Sequence, residues 1–168
     1  MANGTKTTQN LKDAFAGESQ ANRKYLAFSQ QAEKEGFPQV AKLFRAAAEA
    51  ETIHAHNHLR ALNGVGSTRE NLMEAIAGET HEFKTMYPAM IADAKEEGAT
   101  MALRSFVYAN GVEKVHAGLY TAAWDGLEKE IDEVEYYICP VCGHTVAGSP
   151  PPSCVFCGVA GSDFYSVG

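Results

Sequence analysis

Cysteine is missing from the first 138 residues of this 168-residue chain; all four fall within the last 33. That absence excludes a disulfide framework for most of the chain. No apolar run approaches the length of a membrane span, which excludes a transmembrane helix. Met1–Asn10 holds no apolar stretch that could act as a secretory signal, so a cytoplasmic location with reduced thiols is expected. No block of Lys or Arg interrupts a net charge of −7, which argues against a nucleic-acid partner. No Gly-rich nucleotide loop is present either, so a nicotinamide cofactor has no recognisable seat. What remains is a chain with 45% hydrophobic residues, long enough for one domain and a small appendage.

Residues 1–135 read as four long helices. The first runs from about Thr8 to Glu35 and stops at Gly36. Pro38 opens the second, which ends at Asn63-Gly64. Ser67-x-x-Glu70 is a capping box for the third, which reaches Gly98 and should kink or open locally at Pro88. Thr100 is the expected cap of the fourth, which continues to about Glu135. Helices of this length suit an elongated four-helix bundle.

The chain repeats itself. Ala14-Phe-Ala-Gly-Glu18 recurs as Ala75-Ile-Ala-Gly-Glu79, and Glu51-x-x-His54 recurs as Glu113-x-x-His116. Residues three apart share a helix face, so each Glu-x-x-His can hold one ion. One Glu from each of two helices, plus Glu-x-x-His from each of the other two, is the ligand pattern of di-iron and di-manganese carboxylate bundles. Glu18, Glu51, Glu79 and Glu113 would carry four charges into a low-dielectric interior, and two divalent ions neutralise them. Glu82, one turn beyond Glu79, is an extra carboxylate whose counterpart in the first half is Ala21.

Residues 136–168 form a second domain around Cys139-x-x-Cys142 and Cys154-x-x-Cys157. Two such pairs can enclose one tetrahedral metal, without which so short a segment has little core. Two disulfides are the alternative, which a reducing compartment disfavours. Zinc would make the segment a structural ribbon and iron a one-electron relay.

These residues resemble one family, rubrerythrin. The resemblance rests on Phe15-Ala-Gly-Glu-Ser-Gln20, Glu51-x-x-His54, Ala77-Gly-Glu-Thr-His-Glu82, Met86-Tyr-Pro88, Glu113-x-x-His116 and the two Cys-x-x-Cys-Gly knuckles. It implies a mainly α chain, a ferritin-like four-helix bundle followed by a rubredoxin-like β/loop domain, with two iron ions in the bundle (a di-iron centre) and one iron ion held by the four cysteines. It also implies a peroxidase acting on hydrogen peroxide in oxidative-stress defence, with electrons passing from the tail. By the same resemblance, one iron moves between His54 and Glu82, and Tyr25 and Tyr87 lie beside the pocket.

Other residues are read more plainly. His56 and His58 are given surface or packing roles, His144 an exposed loop, and Trp124 and Tyr120 core or interface packing. Asn110-Gly111 interrupts good helix formers just before Glu113, which a local widening of the helix would explain. A tail attached at Glu135 would lie far from its own chain's ligands, which favours a head-to-tail homodimer. The competing functions are a ferroxidase or iron-handling protein, a zinc-ribbon scaffold and a di-manganese catalase.

Overall fold

The computed structural model describes residues 5–128 and 133–167, and the chain divides into two compact units, residues 1–66 and 67–168. The first unit is a helical hairpin of α1 (Lys6–Lys34) and α2 (Pro38–Ala61). Thr5 caps α1 by accepting from the Thr8 N–H. The turn out of α1 is a Schellman motif: Phe37 N–H returns to the Ala32 carbonyl and Gly36 N–H to Glu33, with Gly36 at φ +81°. Asn63, at φ 54°, closes α2 in the same way.

Small residues set the hairpin's packing. Ala41, Ala48 and Ala55 recur every seven positions on α2 and are buried, as are Asn22, Ser29 and Ala32 on α1. With no bulk beyond Cβ on α2, the backbones approach closely enough for Asn22 Nδ2 to donate to the Ala48 carbonyl (2.7 Å) and Thr52 Oγ1 (2.8 Å). That clasp fixes the register that brings Glu18 to Glu51.

The second unit holds α3 (Thr68–His81), a π-helical segment (Glu82–Met86), α4 (Tyr87–Glu96) and α5 (Thr100–Gly126). Ser67 and Glu70 form the expected capping box. The opening anticipated at Pro88 is present as the π segment, where Tyr87 N–H bonds to the Glu82 carbonyl five residues back. Pro88 has no N–H to donate, and sits in the first turn of α4, where none is required.

Three expectations for the fourth helix are corrected. Thr100 is its first residue rather than its cap, and Ala99 in the cap position offers no side chain. Asn110-Gly111 lies in unbroken α-helix, so no widening occurs there. The helix ends at Gly126 and not near Glu135. Of the acidic run beyond, Glu130 and Asp132 lie outside the described residues, while Glu128 pairs with Arg69 (2.8 Å), whose guanidinium covers the Trp124 ring.

The tail is a three-stranded antiparallel sheet ordered β2-β1-β3, from β1 (Tyr136–Ile138), β2 (Thr145–Ala147) and β3 (Tyr165–Val167). Cys139, Cys154 and Phe164 form its buried centre. The tail belongs to the same compact unit as α3–α5.

The alanine face yields a prediction. Ala48→Leu should destabilise the protein by about 1–3 kcal/mol through overpacking. Urea unfolding measures it, and a midpoint equal to the parent's would show that α1 and α2 are not closely packed there.

Candidate metal centres

In the first unit, mid-helix positions bring Glu18 of α1 to Glu51 and His54 of α2. One ligand atom from each lies within 4.8 Å of the others. His54 Nδ1 is 2.8 Å from a Glu51 carboxylate oxygen, as a three-residue step on one helix face dictates.

The second unit repeats the arrangement with Glu79 of α3 and Glu113 and His116 of α5, again within 4.8 Å. His116 Nδ1 is 2.7 Å from Glu113 and 3.8 Å from Glu79. Burial and then the neighbouring Glu113 charge push the Glu79 carboxyl above its ordinary value, against the opposing pull of His116. Three ligating groups crowded together with a carboxylate that resists ionising describe a place made for a cation.

Tyr87 stands over this set. Burial, followed by the charges of Glu113, Glu82 and Glu79, raises its phenol above the usual tyrosine range. Glu82 opens the π segment and is not one of the three converging ligands, though its charge is felt at Tyr87. Tyr25 packs in the first unit among Phe28 and Phe44.

The four cysteines converge in the tail. Cys139 and Cys157 sulfurs are 3.5 Å apart, as are those of Cys142 and Cys154, and all four are free. A disulfide would need about 2.05 Å, whereas thiolates about 2.3 Å from a tetrahedral ion stand under 4 Å apart. The two-disulfide alternative is therefore excluded by geometry. Gly143 and Gly158, each at φ +80°, follow the second cysteine of each knuckle and turn the next N–H toward sulfur. His144 N–H faces Cys142, and Val159 N–H faces Cys157. Burial pushes the Cys142 thiol up; at Cys154 burial is outweighed by the N–H groups of Cys157 and Phe156 and by neighbouring thiols, which bring it down to about 6. The shift favours the thiolate at Cys154, while burial favours the thiol at Cys142 and Cys157.

The remaining histidines sort themselves. His144 is buried, not an exposed loop residue: its ring packs edge-on against Phe156 (4.9 Å) and Phe164 (6.1 Å). His56 and His81 are exposed and His58 half-buried, and none joins a ligand set among the described residues. Sequence reasoning missed Thr145, whose hydroxyl lies 2.9 Å from His116 Nε2. Its only forerunner in the sequence is the unexplained Gly111, on which the tail's Phe156 rests.

A family profile described as Rubrerythrin matches residues 9–124. The chain belongs to the rubrerythrin family. It is 38% identical to rubrerythrin-2 of Clostridium acetobutylicum, over 95% of this chain and 96% of that one. It is 36% identical to nigerythrin of Nitratidesulfovibrio vulgaris, over 90% and 81%. Among solved structures, partially reduced nigerythrin superposes with a TM-score of 0.59 at 34% identity, covering 99% of this chain and 89% of that one. The fully reduced, all-ferrous nigerythrin gives the same score at 33% identity, covering 99% and 92%. The fold class is thus the mainly α, ferritin-like one with a rubredoxin-like tail. The family's cofactors are a di-iron centre and an iron held by four cysteines, which the Glu/His sets and the cysteine cluster of this chain fit.

The electrostatics of Glu79 can be tested in two ways. A raised Glu79 favours its protonated form in the folded apoprotein, so that contribution is fully present below 4.5 and is lost as pH rises through the raised value. Apoprotein Tm should therefore fall with pH more steeply than that of Glu79→Gln, and equal slopes would refute the crowding. Binding of Mn²⁺ should release a proton from the same group, seen as buffer-dependent heats in titration calorimetry.

Proposed function

We propose that this chain is a peroxidase that reduces hydrogen peroxide to water, drawing electrons through its own cysteine-held iron, in defence against oxidative stress. The carrying observation is the pairing, in one chain, of two matched Glu/Glu/His ligand sets with a four-cysteine cluster. An oxidoreductase that only stored iron would need no dedicated electron entry.

In this reading Glu18, Glu51, His54, Glu79, Glu113 and His116 hold the two irons, and Cys139, Cys142, Cys154 and Cys157 the third. Glu82 serves as a further carboxylate ligand that alternates with His54. Residues 1–135 act as the di-iron domain and 136–168 as the electron-entry domain. The paired irons, when bound, supply one electron each, so peroxide takes two electrons and two protons and leaves as two waters. Four carboxylates neutralise two divalent ions. Tyr87, kept protonated by burial and by the surrounding carboxylates, holds an O–H ready to donate toward the departing oxygen, and Tyr25 serves the same end from the first unit.

Electrons enter from a cytoplasmic reductase at the tail. No described helix is long and apolar enough to cross a membrane. A head-to-tail homodimer is part of the proposal. Leu43, Ile53, Met73 and Met101 are each more than half exposed, apolar area that a second copy would cover. Light scattering should give twice the 18.1 kDa chain mass.

Anaerobic mixing of fully reduced protein with hydrogen peroxide tests the activity. The visible band of the ferric, cysteine-held iron should appear, and Glu51→Ala should slow it by more than about 100-fold, beyond the usual loss from an outer-shell partner. A tail that stays reduced, or oxygen uptake in place of peroxide loss, would favour the iron-handling reading.

A further inference from the structure

The four-cysteine tail is one loop used twice. Cys139-x-x-Cys142-Gly143-His144 closes with the Cys139 N–H on the His144 carbonyl (2.9 Å). Cys154-x-x-Cys157-Gly158-Val159 closes with the Cys154 N–H on the Val159 carbonyl (2.8 Å). A valine serves at one of the two matching positions, so the loop itself does not require a histidine at the other. His144 is nonetheless only 8% exposed, its ring held edge-on by Phe156 and Phe164. Asp163 is the only Asp, Glu, Lys or Arg among residues 136–168, so almost no side-chain charge is at hand to act on the sulfurs.

The ring reaches across the cluster. His144 Nδ1 lies 3.7 Å from the Sγ of Cys154, in the opposite loop. A metal-bound thiolate accepts and cannot donate, so Nδ1 carries the proton of the imidazole. Cys154 already faces the N–H groups of Cys157 and Phe156. The imidazole adds a third donor, and Val159 offers none in the matching place. Backbone donors are present whatever the side chains; this one exists only because residue 144 is a histidine.

We infer that His144 sets the reduction potential of the cysteine-held iron, donating Nδ1–H to Cys154 Sγ and so favouring the ferrous state. It is a positioning residue that acts through Cys154. One electron from the upstream reductase converts ferric to ferrous iron and adds one negative charge to the four-sulfur cluster, with no bond broken and no proton moved. A donor at sulfur stabilises the form that carries more charge. The tail is thereby filled by a weaker reductant and passes its electron on with less driving force. This deepens the peroxidase reading and rests on it for the electron's destination, whereas the potential is measured without peroxide.

The test is a redox titration of the full chain, followed by the visible band of the ferric, cysteine-held iron. His144→Phe keeps a ring and removes the donor. At a fixed ambient potential its ferrous-to-ferric ratio should fall about 10-fold, which is 59 mV for a one-electron couple. His144→Asn places an amide N–H where Nδ1 stands and should recover most of that loss. An unchanged ratio in His144→Phe would overturn the inference. So would an equal loss in His144→Asn, which would leave ring packing as the cause. In full-length protein loaded with ¹¹³Cd, the His144 Nδ1–H should show scalar coupling to the metal through the Cys154 sulfur, and an uncoupled ring would overturn the hydrogen bond. That readout needs neither iron nor peroxide. A shifted titration in His144→Phe beside a parent that turns over no peroxide would uphold this inference and count against the function.

Discussion

Carboxylates held a few ångströms apart repel one another, and everything in the helical part of this protein serves to hold them there. Burial, and then the neighbouring Glu113 charge, make Glu79 resist ionising. The repulsion is tolerated because a divalent ion removes it, so the ligand geometry and the metal requirement are one constraint seen from two sides. The alanine face of α2, the Asn22 clasp and the Schellman turns act upstream of that constraint. They set the register that turns a run of sequence into three converging ligands.

The tail solves a different problem with thiol ligands in place of carboxylates. Its strands are three residues long and its core is mainly the cysteine loops themselves, so the metal substitutes for hydrophobic burial. Two glycines in the left-handed region turn backbone N–H groups toward sulfur and lower the penalty of bringing thiolates together. His144 fills the space beside Cys154, where its ring and two phenylalanines keep water from the sulfur.

Helix irregularities mark where the chain serves chemistry and not packing. The π segment begins at Glu82 and ends one residue before Tyr87, so the extra carboxylate and the protonated phenol stand at its two edges. Pro88 secures the widening by withholding a donor from the regular ladder. Gly111 is irregular in composition only. Its helix is intact, and the missing Cβ makes room for Phe156, a reason that lies forty-five residues away in sequence.

The sequence alone determined whatever depends on local spacing. A three-residue step on a helix places Glu and His on one face, a Cys-x-x-Cys knuckle points two sulfurs inward, and Gly, Asn and Pro end or open helices where their backbone preferences demand. The helix boundaries at Gly36, Pro38, Asn63, Ser67 and Gly98, both ligand sets and the four-cysteine cluster were therefore legible. The end of α5 was not, because the residues beyond Gly126 have no strong breaker to oppose a helical reading. Nor were the burial of His144, the partner of Gly111 or the hydroxyl behind His116. Each depends on where a short tail comes to rest, and that is decided by ring packing and a single hydrogen bond between residues far apart in the chain, which no periodicity records.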